Sequence, residues 1–363
     1  MTEFRTQRKG PMSIRFGRRE FLSGLAATGA AALFPDVLNA QQALPPPTPG
    51  RRIIDVHYHY SSPMYREVLR PMGTGQTPII EWDDRKAVED MDRYGVDVSM
   101  LSISEPGVHF GDDAKARALA RDCNEYGVTL MQKYKGRFGL FAILPLPDVD
   151  GALKEIEYAF DTLKADGVTF MSSYPGFGKY SGNKYLGDPS FTPVMEELNR
   201  RRAVAYTHPF RADPMYNLLP ERRAMGITLS TDTTLTLESV LTNNIATRFP
   251  NIRFIWSHGG GTMPYLAGRF NLGNGPDGKP NARLAAVQSF YYDTAQAFNS
   301  FTLAGFTKMI PNAHILFGSD YLGNAGSAGN TVRGLESFDG FTPQQLRAVY
   351  RDNAVQLLPR LKS

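Results

Sequence analysis

Four of the six histidines in this 363-residue chain stand at the ends of short apolar runs. The first such run closes as Asp55-Val-His57-Tyr-His59. Residues two apart on an extended chain point to the same side, so His57 and His59 can converge on one ion. Later runs close as Tyr206-Thr-His208-Pro, Trp256-Ser-His258-Gly-Gly-Gly261 and Gly318-Ser-Asp320-Tyr321. Imidazole nitrogen and carboxylate oxygen suit Zn2+, and also Mn2+ or Fe2+. A lone strand histidine is more often a hydrogen-bonded core residue. His57, His59, His208, His258 and Asp320 brought to one face read as a metal site. His109 falls in a loop and is expected to be solvent exposed, with substrate contact as the alternative. His314 precedes the last run and is expected to be structural.

The elements that carry these residues alternate. Strands are predicted over Arg52–His59, Val96–Ser104, Gly139–Leu146, Gly167–Ser173, Ala203–Pro209, Ile252–His258, Phe290–Ala295 and Ile315–Asp320. Helical segments between them include Lys86–Tyr94, Ala114–Lys135, Asp150–Ala165, Ser190–Arg201, Thr234–Phe249 and Phe298–Met309, with two more near Asn330–Phe338 and Thr342–Leu358. Eight strands alternating with helices predict a single α/β (β/α)8 TIM barrel. Phe254-Ile-Trp256 and Ile315-Leu-Phe317 are apolar without alternation, as strands covered on both faces are. Irregular stretches follow the first, fifth and sixth strands: Tyr60–Glu81, Phe210–Ser230 and Phe270–Pro280. They lie on the C-terminal barrel face, where loops build active sites. A doubly wound open sheet is disfavoured, because no glycine-rich dinucleotide fingerprint follows the first strand.

Composition bounds the partners. Hydrophobic residues make up 42% and charged residues 21%, which suits a globular enzyme with one large core. Residues 1–40 hold six basic and three acidic side chains, so they carry +3 of the net +4. The remaining body is near neutral and offers no electrostatic footprint for nucleic acid. The single cysteine, Cys123, reads as a small buried apolar residue.

The first forty residues read as an address. Arg18-Arg19-Glu-Phe-Leu22 precedes an apolar run, Leu25 to Leu33, and a small-residue exit at Leu38-Asn-Ala40. This resembles a twin-arginine signal peptide, and it predicts export machinery as a partner and a periplasmic or secreted location. The apolar run is too short for a membrane span, which needs about 20 residues. Residues 41–50, with Pro45, Pro46, Pro47 and Pro49, would form an extended arm, leaving residues 51–363 as the barrel.

Taken together, Asp55-Val-His57-Tyr-His59, Thr207-His208-Pro209, Ser257-His258-Gly-Gly-Gly-Thr-Met-Pro-Tyr265 with Gly268-Arg269, Phe290-Tyr-Tyr-Asp293 and Gly318-Ser-Asp320-Tyr321 resemble a known pattern. So do Trp82-Asp, Met91-Asp-Arg-Tyr-Gly-Val96 and Asp352-Asn353-Ala354. The chain resembles the amidohydrolase-related family that includes aminocarboxymuconate semialdehyde decarboxylase and the resorcylate-type decarboxylases. The resemblance runs from Arg52 to Leu358. It implies His57, His59, His208 and Asp320 as metal ligands, and His258 as the acid/base residue beside the ion. Members with two metals place a carbamylated lysine at the end of the fourth strand. Here that strand holds no lysine, so one divalent ion is expected, Zn2+ first and Mn2+ second. The glycines after His258 are expected to open space beside it. Family members are often dimers, which makes a homodimer an expectation here.

The resemblance implies non-oxidative decarboxylation of a small aromatic or dienoic acid. Metal-dependent hydrolysis of an ester, lactone or carbon–carbon bond is the alternative. A non-catalytic periplasmic metal-binding barrel is a third reading, and it gives His258 nothing to do. One departure bears on the substrate. Decarboxylases of the aminocarboxymuconate type hold a substrate carboxylate with an arginine before the second strand. The stretch Gly73–Glu81 has none. Arg211 would substitute, or Arg283 reaching into a neighbouring subunit. Trp82 and His109 complete the candidate substrate contacts.

Overall fold

The computed structural model describes residues 52–72, 77–176, 179, 182–210, 225–322 and 326–362. The expected signal segment, the proline-rich arm and Arg211 lie outside the described residues. Eight parallel strands make one sheet: β1 (Ile53–His59), β2 (Val96–Ser102), β3 (Phe138–Ile143), β4 (Gly167–Met171), β5 (Val204–His208), β6 (Arg253–Trp256), β7 (Tyr291–Asp293) and β8 (Ile315–Leu316). Each pairs with its sequence neighbour, for example Met171 with His208 and Leu316 with Asp293. The sheet closes on itself. Past β8, Val56 N donates to Phe317 O at 3.0 Å while His59 N donates to Tyr321 O at 2.9 Å. The result is the expected barrel.

Helices return the chain between strands: α1 (Pro63–Leu69), α2 (Asp84–Tyr94), α3 (Asp113–Lys133), α4 (Val149–Asp161), α5 (Thr192–Arg201), α6 (Met225–Thr242), α7 (Ala282–Ser289), α8 (Ser300–Met309) and α9 (Ser327–Glu336). Local chemistry sets their ends. Asp83 caps α2 by accepting from Arg85 N and Lys86 N, and Gly95 ends it at φ 73°. Asp112 caps α3 by accepting from Lys115 N. Among the described residues no helix is long and apolar enough to cross a membrane.

Two apolar layers hold the barrel. Ile54, Val56, Met100, Phe141, Val204, Tyr206, Ile255 and Leu316 pack as one buried cluster with Ala354, Leu357, Leu358 and Leu361 of the C-terminal segment. The larger cluster includes the helix residues Cys123, Ile156, Leu198 and Leu335, with Phe254 and Trp256 of β6. Burying a side chain of this size contributes about 1.5–3 kcal/mol. Cys123 is fully buried, as expected, and burial pushes its thiol upward.

Two departures from the expected elements shape the site. The β1–β2 register slips between Asp55 and Tyr58. Val56 therefore joins the barrel interior while the adjacent His57 still reaches the C-terminal mouth; bulges re-aim side chains in this way. The second departure is α6, which begins at Met225, where an irregular stretch and a start at Thr234 are expected. Threonine is a weak helix former. Here Thr231 and Thr234 turn their hydroxyls back to Ile227 O and Ser230 O at 2.8 and 2.7 Å, so they cost no buried polar group.

Candidate metal centre

The C-terminal ends of β1 and β5 and the chain after β8 bring His57, His59, His208 and Asp320 together, with one ligand atom of each within 4.8 Å of all the others. All three histidines are fixed from behind. His57 Nδ1 lies 2.8 Å from Asp293 Oδ2, His59 Nδ1 lies 3.3 Å from Ser102 O, and His208 Nδ1 lies 2.9 Å from Pro209 O. An acceptor at each Nδ1 puts the proton there and leaves the Nε2 lone pair free, the usual outer arrangement around a metal-binding histidine. His57 Nε2 and His59 Nε2 stand 3.1 Å apart. Nitrogens at that distance repel unless positive charge lies between them, whether a metal ion or a proton on His57.

The electrostatics point the same way. Burial holds His59 below its ordinary range, and burial with the neighbouring histidines holds His208 well below. Both rings are thus neutral ligands. Burial also pushes His57 down, but the Asp293 and Asp320 carboxylates outweigh it and lift the ring to about 10. Asp320 is partly buried, which pushes it up, yet His57 and its hydrogen-bond partners hold it well below the carboxylate range. The site is therefore built to hold positive charge, and the donor set of three imidazoles and a carboxylate fits a divalent transition-metal ion.

His258 stands beside this cluster at the end of β6. Its Nε2 lies 3.2 Å from Asp320 Oδ2, its ring centroid is 4.9 Å from that of His57, and its buried Nδ1 has no hydrogen-bond partner among the described residues. Its backbone N–H donates to Asp293 Oδ1 at 2.9 Å. The glycine run after it does not open space, contrary to expectation. Gly261 sits at φ 69° with its Cα against α6, and a Cβ there would collide with Ser230 O. The run is a close-packing device. Gly318 plays a similar part, since a Cβ would meet the Asp293 and His57 side chains within 2.9 Å.

A cavity of about 490 Å³ opens over the cluster, lined in part by Glu105, His208, Leu229, His258, Gln296, Phe298, Asp320 and Leu322. Several expected contacts are absent from it. His109 is buried, not exposed: its Nε2 lies 3.0 Å from Asp113 Oδ1, and it lines a separate small pocket with Leu144 and Met171. Trp82 is a core residue, held by its carbonyl accepting from Arg66. Arg283 is paired with Glu238 of α6. His314 is structural, as expected, stacked on Tyr291 at 4.5 Å.

Residues with no role in the sequence reading complete the site. Asp293 buttresses two of its histidines, and its place at a strand end was the available signal. Asp55 Oδ1 accepts from His57 N and Ser319 N, both at 3.0 Å, and burial pushes this carboxyl up to about 7. Gln296 Nε2 donates to Asp320 Oδ2 at 2.6 Å, and no sequence signal marks it.

A barrel with a histidine-rich cluster at its C-terminal mouth is a scaffold for metal-assisted chemistry, and comparison places it more closely. The amidohydrolase family model matches residues 54–360, and the chain belongs to that family. Decarboxylase yanB of Aspergillus niger is 32% identical over 329 residues, covering 85% of this chain and 88% of its own. The 6-methylsalicylic acid decarboxylase of Penicillium expansum is 34% identical over 322 residues, covering 85% and 97%. Among solved structures, a dihydroxybenzoic acid decarboxylase from Polaromonas with bound manganese and 2-nitroresorcinol matches with a TM-score of 0.73 at 20% identity, covering 86% and 98%.

Proposed function

We propose that the protein is a metal-dependent, non-oxidative decarboxylase of a small aromatic acid. The observation that carries this is His258, poised beside the His57, His59, His208 and Asp320 cluster in a cavity large enough for a substituted benzoate. The decarboxylase names of the relatives support it. Those four residues would hold one divalent ion. Manganese in the Polaromonas structure favours Mn2+, and the donor set equally suits Zn2+. When bound, the ion supplies Lewis-acid polarisation of a substrate oxygen.

The chain's own residues do the rest. Leu229, Phe298 and Leu322 offer apolar contact to a ring and exclude water from it. His258 delivers a proton to the ring carbon that bears the carboxylate. The carbon–carboxylate bond then breaks, its electron pair restores the ring, and CO2 leaves. No lysine or arginine occurs among the described residues lining the cavity. Arg211 is therefore the residue proposed to meet a substrate carboxylate, and Arg211→Leu should raise KM more than it lowers kcat.

The test is a panel of hydroxybenzoates, 6-methylsalicylic acid among them, with protein loaded with Mn2+ or Zn2+. Stoichiometric CO2 and decarboxylated arene are expected. Acid release from esters or lactones, without CO2 from any benzoate, would overturn the reading.

The same proposal extends to location. Arg18-Arg19 and the apolar run after it support twin-arginine export to the periplasm, with the mature chain beginning near Gln41. Changing both arginines to lysine should leave the protein in the cytoplasmic fraction with its N-terminus intact. Cytoplasmic accumulation of the unaltered chain would refute export.

A further inference from the structure

Seven non-glycine residues among those described adopt positive φ, and three of them are His258 at 53°, Gln296 at 53° and Asp320 at 59°. His258 and Gln296 both meet the third, Asp320, at one oxygen. Asp320 Oδ2 accepts from Gln296 Nε2 at 2.6 Å and faces His258 Nε2 at 3.2 Å. Left-handed backbone disfavours residues with side chains, and such outliers persist where the surroundings over-determine them. The turn bearing Gln296 is held in this way. Asp293 Oδ1 accepts from Ala295 N at 3.0 Å, Ala297 N donates to Thr294 O at 3.1 Å, and Thr294 Oγ1 accepts from Gly318 N at 3.2 Å. The end of β7 thus aims the glutamine at Asp320.

We propose that Gln296 is a positioning residue that locks the rotation of the Asp320 carboxylate. Oδ1 then faces His57 Nε2 and His59 Nε2 at 3.1 and 3.4 Å, where an ion would be held. Oδ2 is kept for His258. The glutamine bond is the shorter of the two on Oδ2, so it is the stronger restraint. Without it, the carboxylate keeps only the longer contact and can turn both oxygens toward the ion, which takes away the partner of His258. This rests on the metal reading of the cluster and adds a residue that no ligand-based reading includes.

The experiment compares Gln296→Met, which keeps length and volume but has no donor, with Gln296→Gly, which also relieves the backbone. Mn2+ affinity is measured by chelator competition, together with the electron paramagnetic resonance spectrum of the Mn2+-loaded protein, melting of the metal-free protein, and kcat and KM. Loss of outer partners of metal ligands costs about 10–100-fold in affinity or activity, and a loss of that order is expected in both variants. The manganese spectrum should change, kcat should fall with KM nearly constant, and metal-free melting should hold or rise in the glycine variant. Affinity within twofold of the parent in both variants, or a loss that merely follows lower metal-free melting, would overturn the proposal. Metal titration needs no substrate, so it remains readable even if the decarboxylase reading fails.

Discussion

The Asp293 carboxylate holds His57 and its neighbour at once: Oδ2 lies 2.8 Å from His57 Nδ1, and Oδ1 accepts from the backbone N–H of His258 at 2.9 Å. A single side chain on β7 therefore orients the His57 imidazole and fixes the backbone position of His258. Asp293→Ala should weaken metal binding by about 10–100-fold. It should also lower stability, since each buried N–H left unpaired costs about 1–3 kcal/mol. Metal titration and thermal melting of the same preparation would check both. Parent-like affinity would remove Asp293 from the support of the site.

Metal content gives a second expectation. Purified protein should hold close to one equivalent of divalent transition metal, by elemental analysis. Asp320→Ala and His57→Ala should lose occupancy and activity in parallel, and a chelator should abolish activity that added Mn2+ or Zn2+ restores. Full occupancy in the Asp320 variant would exclude it as a ligand.

His258→Asn should separate chemistry from binding. Asparagine tolerates the positive φ of this position better than most residues. Fold and metal content should survive, while kcat falls about 10²–10⁴-fold, equivalent to about 3–5 kcal/mol of lost transition-state stabilisation. Turnover near the parent rate with metal bound would refute the proton-transfer role.

Asp232 of α6 gives a pH dependence. It is buried, accepts from Ser173 Oγ at 2.9 Å, from Tyr185 OH at 3.2 Å and from Ser172 Oγ, and burial raises its pKa to about 6. A carboxyl whose folded pKa lies above its unfolded value favours the fold when protonated. Its contribution is full below about pH 4 and is lost as pH rises through about 6. Asp232→Asn should therefore raise the melting temperature at pH 8, and the gain should shrink toward pH 5. A gain that does not vary from pH 5 to 8 would show that ionisation of Asp232 is not the cause.

The barrel and the ion cluster were legible because both are written locally. Apolar runs ending in His57, His59, His208 and His258 carry strand and chemistry in the same few residues, and alternation of strands with helices places their ends together. What escaped depends on contacts distant in sequence. His109 is a loop residue, as expected, but Asp113 and the pocket around it bury the ring. The early turns of α6 look irregular because threonine propensity hides the hydroxyl-to-carbonyl bonds that satisfy it. Trp82 carries a familiar motif yet serves the core. Gln296 acts only through a turn whose shape comes from Asp293, Thr294 and Gly318.

The seam where β1 meets the chain after β8 also bears on assembly. Asp320 N donates to His57 O at 3.0 Å across that seam, so two ion-facing residues come from opposite ends of the barrel. A chain emerging from the ribosome displays the first histidines long before the aspartate exists. The full coordination pocket forms only when the last strand docks on the first. An ion held there, as proposed, would tie the first strand to the last.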